Sequence, residues 1–198
     1  MNIQINNNKH NKYRFIDLIK LLKTADGFIS LGCGSGCITK APGTFGTIFA
    51  FITGIPFLNT FGHYDDMNYY IAVFLLASFF VGLWAIHKTG ERLSEHDSSH
   101  IVWDEIIAFW GVLYAIYYGN FYFHLNMPLN VTSWLLAFGL FRFFDIIKPL
   151  GIKWCDQKFH NAFGVILDDL LAGIYSIAVF FTFFFCGFFN CIESFLHF

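Results

Sequence analysis

The chain has 198 residues, 56% of them hydrophobic and 21% aromatic, with 28 Phe, while only 13% are charged and the formal net charge is −2. So little charge cannot cover a water-soluble domain of this size, and the apolar runs that recur along the chain are expected to face lipid. The near-neutral balance lacks the basic footprint of nucleic-acid binding, which sets that class aside.

In chain order, Met1 to Asn11 is polar and Asn-rich, with no apolar core before a small-residue cleavage site, so no secretory signal is expected. From Lys12 to Lys23, Phe15, Ile16, Leu18, Ile19, Leu21 and Leu22 alternate with Arg14, Lys20 and Lys23 in the pattern of a short basic amphipathic helix on a membrane surface. A Gly-rich stretch, Gly32 to Gly36, follows. Five apolar segments come next, near 44–61, 68–87, 106–124, 131–147 and 166–189, each close to the roughly 20 residues that a spanning helix needs. The first is interrupted by Thr44, Thr47, Thr53, Gly54 and Pro56, and reads either as a tilted span or as a re-entrant helix. The five cysteines, Cys33, Cys37, Cys155, Cys186 and Cys191, show no C-x-x-C pairing, so neither a zinc site nor a disulfide framework is expected.

Orientation follows from the loops, because Lys and Arg collect on the cytoplasmic side. The N-terminal arm is basic, 59–68 has neither residue, and 86–105 carries Lys88 and Arg92. The alternation then repeats: 119–130 has none, 148–164 carries Lys148, Lys153 and Lys158, and the tail has none. The expected fold is therefore all-α, a polytopic helical membrane bundle of about five spans with its N-terminus in the cytoplasm. Its expected parts are an arm and surface helix over 1–27, a membrane domain over 28–190 and a tail over 191–198.

Every polar cluster then falls on the cytoplasmic side. Glu95, His96, Asp97, His100, Asp104 and Glu105 run straight into the apolar Ile106 and Ile107. If the helix starts early, Asp97, His100 and Asp104 share one face, whereas Asp104 and Glu105 point in different directions. Acids at a helix N-terminus also suit its dipole, so a solvated end is the plain alternative. Arg142, Asp145 and Lys148, spaced by three inside a Phe-rich run, form one stripe that is costly to turn towards lipid. They read as a phosphate-binding group, or as an ion pair with Lys148 reaching for the interface. Asp168 and Asp169 open the last apolar segment and are the ligand type that a hard cation such as Mg²⁺ prefers. Finally, Gly32 to Gly36 and Lys40 to Thr47 would let backbone N–H groups approach a phosphate at a helix start near Thr44, although no P-loop or dinucleotide fingerprint is present.

Four stretches taken together, Ala-Pro-Gly-Thr-Phe-Gly-Thr at 41–47, Ile-Val-Trp-Asp-Glu at 101–105, Phe-Arg-Phe-Phe-Asp-Ile-Ile-Lys-Pro at 141–149 and Gly-Val-Ile-Leu-Asp-Asp-Leu-Leu-Ala-Gly at 164–173, resemble the phosphatidylglycerophosphatase A family of bacteria. The resemblance implies a Mg²⁺-dependent inner-membrane phosphatase that converts phosphatidylglycerophosphate to phosphatidylglycerol. Carried over by position, it implies Asp104, Glu105, Asp145, Asp168 and Asp169 around the metal, and Arg142, Lys148, Gly43 and Thr44 around the substrate. Asp104, Asp168, Asp169 and His100 are the catalytic candidates; whether a carboxylate or His100 takes the proton from water, or a phosphoenzyme forms, stays open. Gly151, Asn161, Ala162 and Ala108 depart from the family pattern without removing an acid or a base.

Two other lipid enzymes lack support, since neither the D-G-x-x-A-R of CDP-alcohol phosphotransferases nor the P-S-G-H of metal-independent lipid phosphatases occurs. The rival of another class is a small transporter or channel, which would need polar residues through the whole bundle rather than at one end.

Overall fold

The structure is a computed structural model that describes residues 15–62, 64–94, 98–158 and 161–188. Among these, all regular structure is helical: α1 Phe15–Leu21, α2 Ala25–Ser30, α3 Pro42–Phe61, α4 Asp65–Leu93, α5 Trp103–Tyr122, α6 Val131–Ile147, α7 Leu150–Lys158 and α8 Ala162–Phe185, with a 3-10 segment at Gly32–Cys37. The polar arm up to residue 14, the cluster Glu95, His96 and Asp97, and the tail from 189 lie outside the described residues.

Helices α3, α4 and α8 are long and apolar enough to cross a membrane. Their surfaces agree with that role. On α4, Val73, Phe74, Leu76, Phe80, Val81 and Trp84 are all exposed, an apolar flank far larger than water tolerates. The first apolar segment is one unbroken 20-residue helix, about 30 Å long, with Pro42 as a pre-organised first residue and Pro56 inside it. Asn130 and Asn161 cap α6 and α8 by accepting from Ser133 and Gly164 N–H at 3.0 Å, and Lys148 in the left-handed region followed by Pro149 ends α6.

Helix α5 is the centre of the bundle. It packs on α3 and α8, and α8 in turn packs on α6 and α7. Small residues allow the closest approach: a Cβ on Gly46 would lie 2.8 Å from Val102 Cβ, and one on Gly54 2.8 Å from Leu113 Cδ1. Phe109, Phe141, Phe180, Ile106, Leu113 and Ile116 are fully buried around α5, and Phe51, Phe109 and Phe138 meet ring to ring between α3, α5 and α6.

Two details read from the sequence are corrected here. Helix α5 does not start early: it begins at Trp103, because the Val102 N–H is donated to Ser30 O at 2.9 Å, so His100 sits in the preceding loop and shares no helical face with Asp104. The stretch after α6, read as a loop, holds α7. Helix α1, the expected surface helix, packs Leu18 and Leu21 on Leu31, Cys37 and Leu93 and leaves Ile19 exposed.

Candidate functional site

A cavity of about 270 Å³ opens at the shared end of α3, α5, α6 and α8. Helix α3 brings Pro42 and Gly43, α5 brings Asp104 and Glu105, α6 brings Arg142, Asp145 and Lys148, and α8 brings Val165, Asp168 and Asp169. The segment before α5 adds Ser98, Ser99 and Ile101. Five carboxylates thus face two cations.

Asp104 and Glu105 both reach the cavity, although they point in different directions from α5. The cavity wraps around the start of α5, so two positions 100° apart each meet a different neighbouring helix. Glu105 turns towards α3, where only a glycine admits it: a Cβ on Gly43 would lie 1.8 Å from Glu105 Oε1. Arg142 Nη1 stands 2.6 Å from Asp145 Oδ2 and 3.5 Å from Glu105 Oε1, and donates to Thr47 Oγ1 at 3.4 Å. Lys148 Nζ is 2.5 Å from Asp168 Oδ2, so this lysine turns to the acids of α8 and not outward to the interface. Phe143, Ile146 and Ile147, interleaved along α6 with the cavity residues Arg142, Asp145 and Lys148, are exposed, so the cavity mouth adjoins an apolar surface.

Asp104, Asp168 and Asp169 are buried. Among the described residues, Asp104 Oδ1, Glu105 Oε2 and Asp169 Oδ2 are buried acceptors without a hydrogen-bond partner, and Arg142 Nε is a buried donor without one. Orphans of both signs in one cavity are what a ligand set with both cationic and anionic parts would satisfy. The donor atoms are all oxygens, which suits a hard cation. Among the described residues, no three His, Cys, Asp or Glu side chains are already closed up in a form that could hold a metal ion.

Of the residues expected from sequence, Gly43, Asp104, Glu105, Arg142, Asp145, Lys148, Asp168 and Asp169 share this cavity, whereas Thr44 and His100 do not line it. His100 is buried behind the wall, with Nδ1 2.7 Å from Gly36 O. Ser98 and Ser99, not singled out in the sequence, also line the cavity; their signal is polar character next to the acid cluster.

The family model described as Phosphatidylglycerophosphatase A matches residues 28–184. The chain belongs to the phosphatidylglycerophosphatase A family. All eight expected residues in the cavity fall inside the matched span. Among relatives, the chain is 37% identical over 158 residues to a Haemophilus influenzae protein named phosphatidylglycerophosphatase A, covering 78% of this chain and 85% of the relative. It is 32% identical over 152 residues to an Escherichia coli protein of the same name, covering 76% and 78%. It is 36% identical over 154 residues to a Bacteroides thetaiotaomicron protein provisionally named a phosphatidylinositol-3-phosphatase, covering 75% and 86%. No solved structure matches the chain.

Proposed function

We propose that this member of the phosphatidylglycerophosphatase A family hydrolyses the terminal phosphate monoester of phosphatidylglycerophosphate to give phosphatidylglycerol and inorganic phosphate, at the cytoplasmic face of a bacterial inner membrane. The observation that carries the reading is the joining of the family's four motifs in one cavity, where two cations stand among five carboxylates. Arg142 and Lys148 bind the phosphate oxygens, and the backbone N–H groups at the start of α3, beside Gly43, add positive potential. The bond from phosphorus to the glycerol oxygen breaks as a water oxygen bonds to phosphorus from the opposite side. A cavity carboxylate takes the proton of that water, and the leaving glycerol oxygen is protonated in turn.

Mg²⁺ is the cofactor of this proposal, with Asp104, Glu105, Asp145, Asp168 and Asp169 as its oxygen donors; when bound it would offset the excess of acids and draw charge from the phosphate. Five crossings, with α5 and α6 added to the three long apolar helices and the N-terminus in the cytoplasm, follow from the Lys and Arg pattern.

The transporter reading is disfavoured because the buried charges gather at one end, while the bundle beyond them is filled by Phe, Leu and Ile. The test is phosphate release from phosphatidylglycerophosphate by the purified protein in detergent, with Mg²⁺ and with excess chelator, beside phosphatidylinositol 3-phosphate and phosphatidate. Metal-dependent release, fastest from phosphatidylglycerophosphate, is expected. Release only from the inositol lipid would reassign the substrate, and no release from folded protein would overturn the enzyme reading.

A further inference from the structure

The wall segment 98–102 is irregular backbone, yet it carries Ser98, Ser99 and Ile101 into the cavity and leads within two residues to Asp104. What holds it lies behind it. Ser30 O, at the end of α2, accepts from Val102 N–H at 2.9 Å. Gly36 O, in the 3-10 segment, accepts from His100 Nδ1 at 2.7 Å; a carbonyl cannot donate, so Nδ1 carries the proton. The contact is as close as backbone permits, since a Cβ on Gly36 would lie 2.2 Å from His100 O and one on Gly32 would lie 2.9 Å from Val102 Cγ2.

This layer is itself anchored. Buried Asp26 of α2 accepts from Arg92 Nε at 2.8 Å and from Arg92 Nη2 at 3.3 Å, near the end of α4. Thr89 reaches the same carboxylate at 3.5 Å and shares a 2.8 Å hydrogen bond with Ser30, the residue whose carbonyl holds Val102. A continuous chain of contacts therefore runs from α4 through Asp26 and Ser30 to the residue before α5. None of Asp26, Ser30, Gly36, Thr89, Arg92 or His100 lines the cavity.

We infer that α2 and the 3-10 segment form a brace for the active-site wall, with His100 and the Asp26–Arg92 pair as positioning residues that set Ser98, Ser99 and Asp104 for the reaction. The inference rests on the proposed phosphatase activity, and it gives His100 a holding role in place of proton transfer. Displacing such a wall by an ångström lowers turnover without removing any group that touches substrate.

The test compares His100→Asn with His100→Ala, and Asp26→Asn, Arg92→Gln and their double variant with the native chain. Phosphate release gives kcat and KM, thermal unfolding in detergent gives the folded state, and amide exchange follows the peptide over 98–106. An Asn side chain keeps an N–H donor near the position of Nδ1 but cannot take a proton from water. His100→Asn should therefore stay within about fivefold of native kcat, about the net worth of one hydrogen bond. His100→Ala should lose about ten- to a hundredfold with KM little changed. If Asn and Ala variants, both folded, lose activity alike by about a hundredfold or more, His100 acts in the chemistry and the inference falls. It falls equally if neither loses activity.

For the ion pair, exchange over 98–106 should quicken by about tenfold in Arg92→Gln and in Asp26→Asn, with no further change in the double variant. Unchanged exchange overturns the brace. Because exchange needs no turnover, a native protein inactive on every lipid but showing this quickening would overturn the phosphatase reading and leave the brace standing.

Discussion

Asp104 and Asp168 lie in the same cavity but in opposite electrostatic company. Asp168 has Lys148 at 2.5 Å, whereas Asp104 shows no ion pair among the described residues and stands among other acids. Replacing each by the neutral amide should separate function from stability. Phosphate release should fall by at least about a hundredfold in both Asp104→Asn and Asp168→Asn. In chelator, the first should unfold at the same or a higher temperature than the native protein, because one of several like charges is gone, and the second at a lower one, because the charge of the carboxylate 2.5 Å from Lys148 is lost. Full activity in either variant would remove that residue from the site. Arg142 gives a second case. Its Nη1 alone meets Asp145, Glu105 and Thr47, which leaves the buried Nε of the same planar group for a phosphate oxygen, a donor that lysine lacks, so Arg142→Lys should lose about tenfold or more in kcat/KM despite keeping the charge. The stripe of Arg142, Asp145 and Lys148 was legible because charges in a Phe-rich helix must find partners. Ser98 and Ser99 were not, because a hydroxyl costs little in a loop and gives no comparable signal.

At the scale of the helix, the candidate site depends on how closely α3 lies against α5. Gly46 and Gly54 set that distance, and Gly43 at the same helix's start admits Glu105. Gly46→Val should destabilise the fold by about 1–3 kcal/mol through overpacking against Val102. It should also lower turnover in the protein that remains folded, by shifting α3 away from Glu105; both are read by thermal unfolding and by phosphate release per folded molecule. Native stability in Gly46→Val would mean that α3 does not pack on α5 in this way. Helices over 131–147 and through the other apolar segments were legible from run length alone. The start of α5 was not, since it is decided by Ser30 O, a partner some seventy residues away that spacing within the segment cannot reveal. The same holds for α7, whose short mixed sequence carries no apolar period.

Across the whole molecule, charge is gathered at one end and apolar surface occupies the flanks. In a chain whose native cysteines have been replaced, single cysteines at Tyr64 and Ser94, on either side of α4, should react with a membrane-impermeant thiol reagent from opposite faces, and one at His124 from the same face as Tyr64. Labelling of His124 and Ser94 from one face would contradict the five-crossing arrangement. The cavity mouth beside exposed Phe143, Ile146 and Ile147 carries a consequence for kinetics. A lipid reaching that mouth keeps its tails in the membrane, and so does the lipid product; only water and phosphate cross into solution. Encounter is then two-dimensional, governed by the mole fraction of substrate at the surface and not by its bulk concentration. Diluting a fixed amount of substrate with inert detergent or neutral lipid should slow the enzyme, while adding water should not.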